Sequence, residues 1–352
     1  MKQKETKFLI VLVILLLVGS SAIVWRENEA YKKHKAYEEA MQALTARLEE
    51  AQTAAETINA AYIQAKTDEN SRKADPSYRE SMVNTAQLPV NAIGDSVMLS
   101  AVPALQAAFP NGYFDAEVSR SHYPLLSILQ ERSYAGTLGD PVVIAIGTNN
   151  PVPVEAAHQA VELCGERQVF WITTTNNWQF DNHDMIWSLA DDYDNVTIID
   201  WETASADHPE YFGQDGIHMS DEGCTAYVQL IRQTITDRLF ALLPDEKTGV
   251  VLAGDERMMQ TAPYMQDIQD LCYCAKPTLS EMRAVLEDWK ARDILPAKAY
   301  VTGDKEMAAL IRTFIPDTHT VTLPEDTAVD GFHLSEEAAE ALAQNIRKEI
   351  TR

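Results

Sequence analysis

Hydrophobic and polar positions follow three successive regimes along the chain. In the first, residues 8–25, FLIVLVILLLVGSSAIVW, run without a charge behind Lys2, Lys4 and Lys7. At about 1.5 Å per residue this run nearly crosses a hydrocarbon core of roughly 30 Å, which predicts a transmembrane anchor behind a short cytoplasmic tail, residues 1–7. A cleaved signal peptide is the alternative, because Ser20-Ser21-Ala22 has the small residues of a cleavage site. The helical pattern that follows favours the anchor. Arg26, Lys32, Lys33 and Lys35 lie on its far side and weaken the charge asymmetry. The tail is nevertheless expected inside, with everything else extracytoplasmic.

In the second regime no Gly or Pro occurs from Ala22 to Ala74, and Tyr37, Met41, Leu44, Leu48, Ala51, Ala55, Ile58, Tyr62 and Ala65 alternate spacings of four and three. That is the seam of a heptad helix, so residues 26–75 are expected as a helical or coiled-coil spacer. The alanines along the seam favour a spacer or weak dimer over a strong coiled coil. From Arg26 to Arg72 it would reach about 70 Å. Asp75-Pro76 ends the helix, and residues 76–85 read as a linker.

In the third regime short apolar runs alternate with segments of helical length: LPVNAIG, FDAEV, PVVIAIGT, QVFWIT and NVTIID. This alternation predicts an α/β unit with a parallel sheet covered on both faces, over residues 86–243. Function in such sheets collects at the carboxyl ends of the strands.

The net charge of −24 leaves no clustered Lys and Arg to hold phosphates, which excludes a nucleic-acid partner. Cys164, Cys224, Cys272 and Cys274 are expected as structural thiols or a bridge. Cys272-x-Cys274 lacks the second pair of a zinc site, so no metal is expected.

Three polar motifs fall where strands end: Gly94-Asp95-Ser96, Gly147-Thr148-Asn149, and Asp215-Gly216-Ile217-His218. Ser96 is a poor nucleophile until a base takes its proton, and His218 is the natural base. Asp215, three residues earlier, can hold the other ring N–H and fix the tautomer. The Ser96 backbone N–H at a helix start and the Asn149 amide can meet the oxyanion that forms. Alone, each motif reads as well as a cap, a turn or a loop; their joint occurrence in this order points to a catalytic serine. His122, His158, His183, His208 and His319 lack partner motifs and read as surface or structural residues. Trp171, Trp178 and Trp201 read as core, with carbohydrate stacking the alternative.

With these blocks the sequence resembles the SGNH (GDSL-like) hydrolases. The likeness extends further, to the extracellular catalytic domain of bacterial peptidoglycan O-acetyltransferases, through IGDSVML, FDAEVSR, VVIAIGTNN, VFWITT, IIDWETASADHPEYF and DGIHMSDEG. The resemblance implies a flavodoxin-like three-layer SGNH fold, no cofactor, a Ser96, His218, Asp215 triad and Asn149 in the oxyanion hole. Where the family has its block-two glycine this chain reads Ser119-Arg120-Ser121, so the donor there would be the Ser119 N–H. The stretch Thr175-Asn176-Asn177-Trp178 also departs from the subgroup and is expected to shape the acceptor site.

Residues 244–352 repeat the theme. GVVLAGDERMM echoes NAIGDSVML, and DGFHLSEEAAEALAQNIRKEI matches DGIHMSDEGCTAYVQLIRQTI at 10 of 21 positions. Glu256 replaces the serine and no Gly-x-Asn block follows, so Asp330 and His333 are expected to have no nucleophile to serve. A degenerate SGNH-like α/β repeat is expected here.

The resulting expectation is a single-pass, membrane-anchored extracytoplasmic serine O-acyltransferase. It would acetylate peptidoglycan or another cell-envelope glycan acceptor, with a separate multi-spanning membrane acyltransferase supplying the acetyl group. The alternatives are an acetylesterase acting on such glycans and a noncatalytic glycan-binding scaffold.

Overall fold

The computed structural model describes residues 2–175, 182–244, 247–276, 278–303 and 305–351, with the side chains of residues 2–17, 19 and 21–24 left out. Two compact units divide the chain: Ser71–Pro244, and Met1–Asn70 together with Asp245–Arg352.

The Ser71–Pro244 unit contains, in order, α2 (Pro76–Val83), β1 (Asn91–Gly94), α3 (Ser96–Ala108), β2 (Tyr113–Ala116), α4 (His122–Tyr134), β3 (Val142–Ala145) and α5 (Val154–Cys164). These are followed by β4 (Val169–Ile172), α6 (His183–Asp192), β5 (Val196–Ile199), α7 (Trp201–Ser205) and α8 (Asp221–Leu242). The five strands are parallel in the order β2-β1-β3-β4-β5, the flavodoxin-like arrangement. Because side chains alternate across a strand, Ala92 and Phe170 enter a core with α3 and α8, while Ile93 and Trp171 enter one with α4, α5 and α6. This gives three layers. The burial of Trp171 and Trp201 removes both from any stacking role, while Trp178 lies outside the described residues.

The expected linker at 76–85 is instead ordered. Asp75 accepts hydrogen bonds from the N–H groups of Ser77 and Tyr78, and Pro76 takes the first helical position, where its missing N–H costs nothing. Arg79–Asp237 and Glu80–Arg232 ion pairs and a Tyr78–Phe240 ring contact then fix α2 on α8.

The other unit contains α1 (Lys2–Ala74), β6 (Val250–Gly254), α9 (Glu256–Met259), β7 (Leu271–Ala275), α10 (Leu279–Ala291), β8 (Lys298–Val301), α11 (Lys305–Arg312), β9 (Asp317–Thr320) and α12 (Glu336–Ile350). Its parallel strands run β7-β6-β8-β9, the same order as the first four strands of the five-stranded sheet.

From Leu44 onward much of the heptad seam is packed within the chain. Leu44, Ala51, Ala54, Ala55, Ile58, Tyr62 and Lys66 are buried, several of them in the cores of this four-stranded sheet, whereas Ala65 is exposed. From Ala54 onward the stripe advances by fours, the drift of an ordinary α-helix lying on a globular surface. At edge strand β7 the Asn59 side chain mimics a neighbouring strand: its amide donates to Tyr273 O at 3.0 Å and its oxygen accepts from Tyr273 N at 2.6 Å.

Among the described residues no helix is long and apolar enough to cross a membrane. The side chains of the expected anchor, residues 8–25, fall largely outside the described ones. All four cysteines are free thiols.

Candidate active site

The turn that presents Ser96 is built by three neighbouring residues. Gly94 ends β1 where a Cβ would lie 2.6 Å from Met98 Cβ, so only glycine lets α3 approach this closely. Asp95, 1% exposed, caps α3 by accepting from Val97 N at 3.0 Å, and its second oxygen accepts from Thr148 N at 3.3 Å. Burial raises its pKa above the ordinary carboxylate range, against those two backbone donors. One carboxylate thus bolts the serine turn to the loop after β3. Ser96 is the first residue of α3, and its N–H is among the donors that a first turn leaves without a helical partner.

His218 and Asp215 arrive on the loop between β5 and α8. One Asp215 oxygen caps the N–H groups of Ile217 and His218, both at 3.0 Å; the other lies 2.7 Å from His218 Nδ1. With Nδ1 donating to Asp215, Nε2 is left to accept from the Ser96 hydroxyl at 3.0 Å. The imidazole bond, followed by the two backbone donors, lowers the Asp215 pKa to about 2. The carboxylate is therefore ionised at every pH where the imidazole can act as a base. The structure thus brings Ser96, His218 and Asp215 into one hydrogen-bonded series, with the Asp215 and His218 side chains each 51% exposed.

Ser119 and Asn149 meet through the residue between them. Ser119 has φ 59°, the left-handed conformation that glycine takes at least cost. Among the described residues the Ser119 N–H has no acceptor. Arg120 follows; its carbonyl accepts from the Asn149 amide at 3.1 Å, which occupies one of that amide's two N–H groups. The guanidinium, 7% exposed, donates to Asp115 O and Asp115 Oδ1, both at 2.6 Å, and pins the loop to the end of β2.

Two residues hold this site in position although no motif assigns them a role. Arg120 is one. The other is Asn182, which is buried and donates to Gly147 O at 2.8 Å while accepting from Val152 N at 2.8 Å, so it fixes both ends of the Gly-Thr-Asn loop. A buried asparagine between two loops has no spacing rule to announce it. His122 is likewise buried, 2.5 Å from the Asn150 amide. His158, His183, His208 and His319 bond to Tyr193, Glu202, Glu210 and Asp317, as structural histidines do. Residues 176–178 lie outside the described residues. Among the described residues no group of His, Cys, Asp and Glu could hold a metal ion.

In the other unit Asp330 and His333 form the same turn, with Nδ1–Oδ2 at 2.6 Å, but His333 Nε2 faces the Glu256 carboxylate at 3.5 Å. The imidazole therefore does have a neighbour at the position of the missing serine, and it is an acid.

No family model matches the chain. It is similar to the O-acetyltransferase OatA of Staphylococcus aureus, 31% identical over 147 residues, covering 41% of this chain and 24% of that protein. It is also similar to the peptidoglycan O-acetyltransferase OatA of Listeria monocytogenes, 30% identical over 142 residues, covering 40% and 23%. The chain thus spans about a quarter of the length of these curated relatives. The solved C-terminal catalytic domain of Streptococcus pneumoniae peptidoglycan O-acetyltransferase A is 25% identical, with a TM-score of 0.40 over 44% of this chain and 96% of that one.

Proposed function

We propose that this chain, SGNH-like over residues 86–243, is a membrane-anchored extracytoplasmic serine O-acyltransferase that acetylates peptidoglycan or a related cell-envelope glycan. The series Asp215–His218–Ser96, with contacts of 2.7 and 3.0 Å, carries the reading. The relatives' names support acetyl as the acyl group and peptidoglycan as the acceptor.

In the first half-reaction the Ser96 oxygen attacks the acyl carbonyl of the donor while its proton passes to His218 Nε2. Asp215 holds the imidazolium that forms. The oxyanion is met by the N–H groups of Ser96 and Ser119 and by the second Asn149 N–H. The intermediate collapses, the donor's leaving oxygen takes the proton from His218, and acetyl remains on Ser96. In the second half a sugar hydroxyl gives its proton to His218 and attacks the acyl-serine carbonyl; the Ser96 oxygen leaves, takes that proton back from His218, and the sugar ester departs. The anchor at 8–25 would hold the enzyme at the membrane face. A separate multi-spanning membrane acyltransferase would deliver the acetyl group.

One observation favours a second reading, an acetylesterase. The dyad side chains are half-exposed, and water admitted to the acyl-enzyme would hydrolyse it. The test takes the full chain in detergent with an activated acetyl ester, with and without chitooligosaccharide, and compares wild type with Ser96→Ala by mass spectrometry. Acetylated glycan that disappears with Ser96→Ala supports transfer. Acetate release that the glycan does not divert supports the esterase, and no Ser96-dependent turnover leaves a noncatalytic scaffold.

A further inference from the structure

We propose that the Tyr123 ring is the platform on which a sugar ring of the acceptor stacks; this rests on the glycan reading above. Sugar rings present C–H faces that pack on aromatic faces, so a platform must be exposed, rigidly held and close to the nucleophile. The described exposed aromatics of the Ser71–Pro244 unit are Tyr113, Tyr123, Tyr134 and Trp187. Tyr113 begins β2, at the end of the strand opposite the carboxyl edge, and the Arg132 guanidinium covers its ring at 3.6 Å. Tyr134 ends α4, eleven residues and about 16 Å of helix beyond Tyr123. Trp187 lies one turn into α6, beside a His183 engaged with Glu202.

Among them, Tyr123 alone follows directly on the loop that carries Ser119, as the second residue of α4. It is 78% exposed, and its ring is set against His122 with centroids 4.2 Å apart. His122 is itself buried and bonded to Asn150, the neighbour of Asn149. A chain of contacts therefore runs from the oxyanion-side loop through the His122 imidazole to an aromatic face open to solvent. A packed ring would be an ordinary core residue. One that leans on a buried imidazole at 36° and is otherwise exposed is arranged to receive a ligand.

The test uses the full-length chain carrying Ser96→Ala, titrated calorimetrically with chitopentaose, alone and with Tyr123→Ala, Tyr123→Phe or Tyr134→Ala added. Tyr123→Ala should weaken binding roughly tenfold, the loss of one stacked ring, while Tyr123→Phe and Tyr134→Ala bind as the parent does. Equal binding by Tyr123→Ala and its parent overturns the proposal, as does a parent that binds no glycan or a Tyr134→Ala that loses as much. Ester turnover with Ser96 in place is read separately. If turnover does not depend on Ser96 while binding still depends on Tyr123, the acyltransfer reading falls and the platform stands.

Discussion

At Asp215–His218 and at Asp330–His333 one carboxylate oxygen caps two backbone N–H groups, and the other holds the imidazole Nδ1. Beyond that turn the two regions part. His218 faces a serine and is half-exposed; His333 faces Glu256 and is 14% exposed. Arg257 and Phe332 pack together at 4.8 Å, and Phe332 lies edge-on to His333. Asp95 ties its turn to Thr148, whereas the oxygens of Asp255 are taken by Arg257. An Asp-x-x-His turn is therefore worth keeping for its backbone caps alone. What distinguishes the Ser96 region is the tether between its turn and the Gly-Thr-Asn loop, together with an imidazole left open to solvent.

The largest test of this contrast is to remove each partner of the two histidines. Ser96→Ala should lower turnover of an activated acetyl ester by about 10³-fold or more, and Glu256→Ala by less than about twofold. A comparable loss at both would make the second turn part of the chemistry. Glu256→Ser introduced into the Ser96→Ala chain should remain unlabelled by a fluorophosphonate probe, because no Gly-x-Asn loop stands beside it. Labelling would show that the dyad suffices without the tether.

Asn182→Ala strands Gly147 O and Val152 N, each at about 1–3 kcal/mol. Ester turnover followed against urea should fail at a lower midpoint. Ser119→Gly removes a left-handed serine, and the same assay should show a higher midpoint, equivalent to about 1 kcal/mol of added stability, with turnover kept. The smallest effect is in titration. Asp215 should titrate at about 2 by carboxyl-carbon NMR, and His218→Ala should return it toward the ordinary carboxylate value. Its folded pKa is depressed, so its stabilising contribution is present above the unfolded value and is lost as pH falls through about 2. Asp330 is lowered by His333 in the same way, and His333→Ala should shift it in parallel.

The sheet was legible because β1, β3 and β4 are short runs buried on both faces and β5 is a short β-branched run half-buried at the edge, and Ser96, Asp215 and His218 could be read from motifs at strand ends. Arg120 and Asn182 could not: the Arg120 guanidinium works through a buried clasp on Asp115, and Asn182 joins two loop ends more than twenty residues away, and no spacing rule announces either. The heptad spacing described a real apolar stripe but not its occupant. Period 3.5 and period 3.6 differ by one position over this length, and the structure places Lys66 where the seam placed Ala65. The α2 helix was hidden because Asp75-Pro76 ends one helix and starts another with the same two residues.

The Asn59 amide bears on how the chain behaves among its neighbours. Edge strand β7 presents Tyr273 N–H and C=O outward, and an open pair of this kind invites another molecule's strand to align with it. By occupying both groups from a helix, Asn59 makes that edge a poor template for intermolecular growth. A protein held at high local density on a surface would gain most from such a closure.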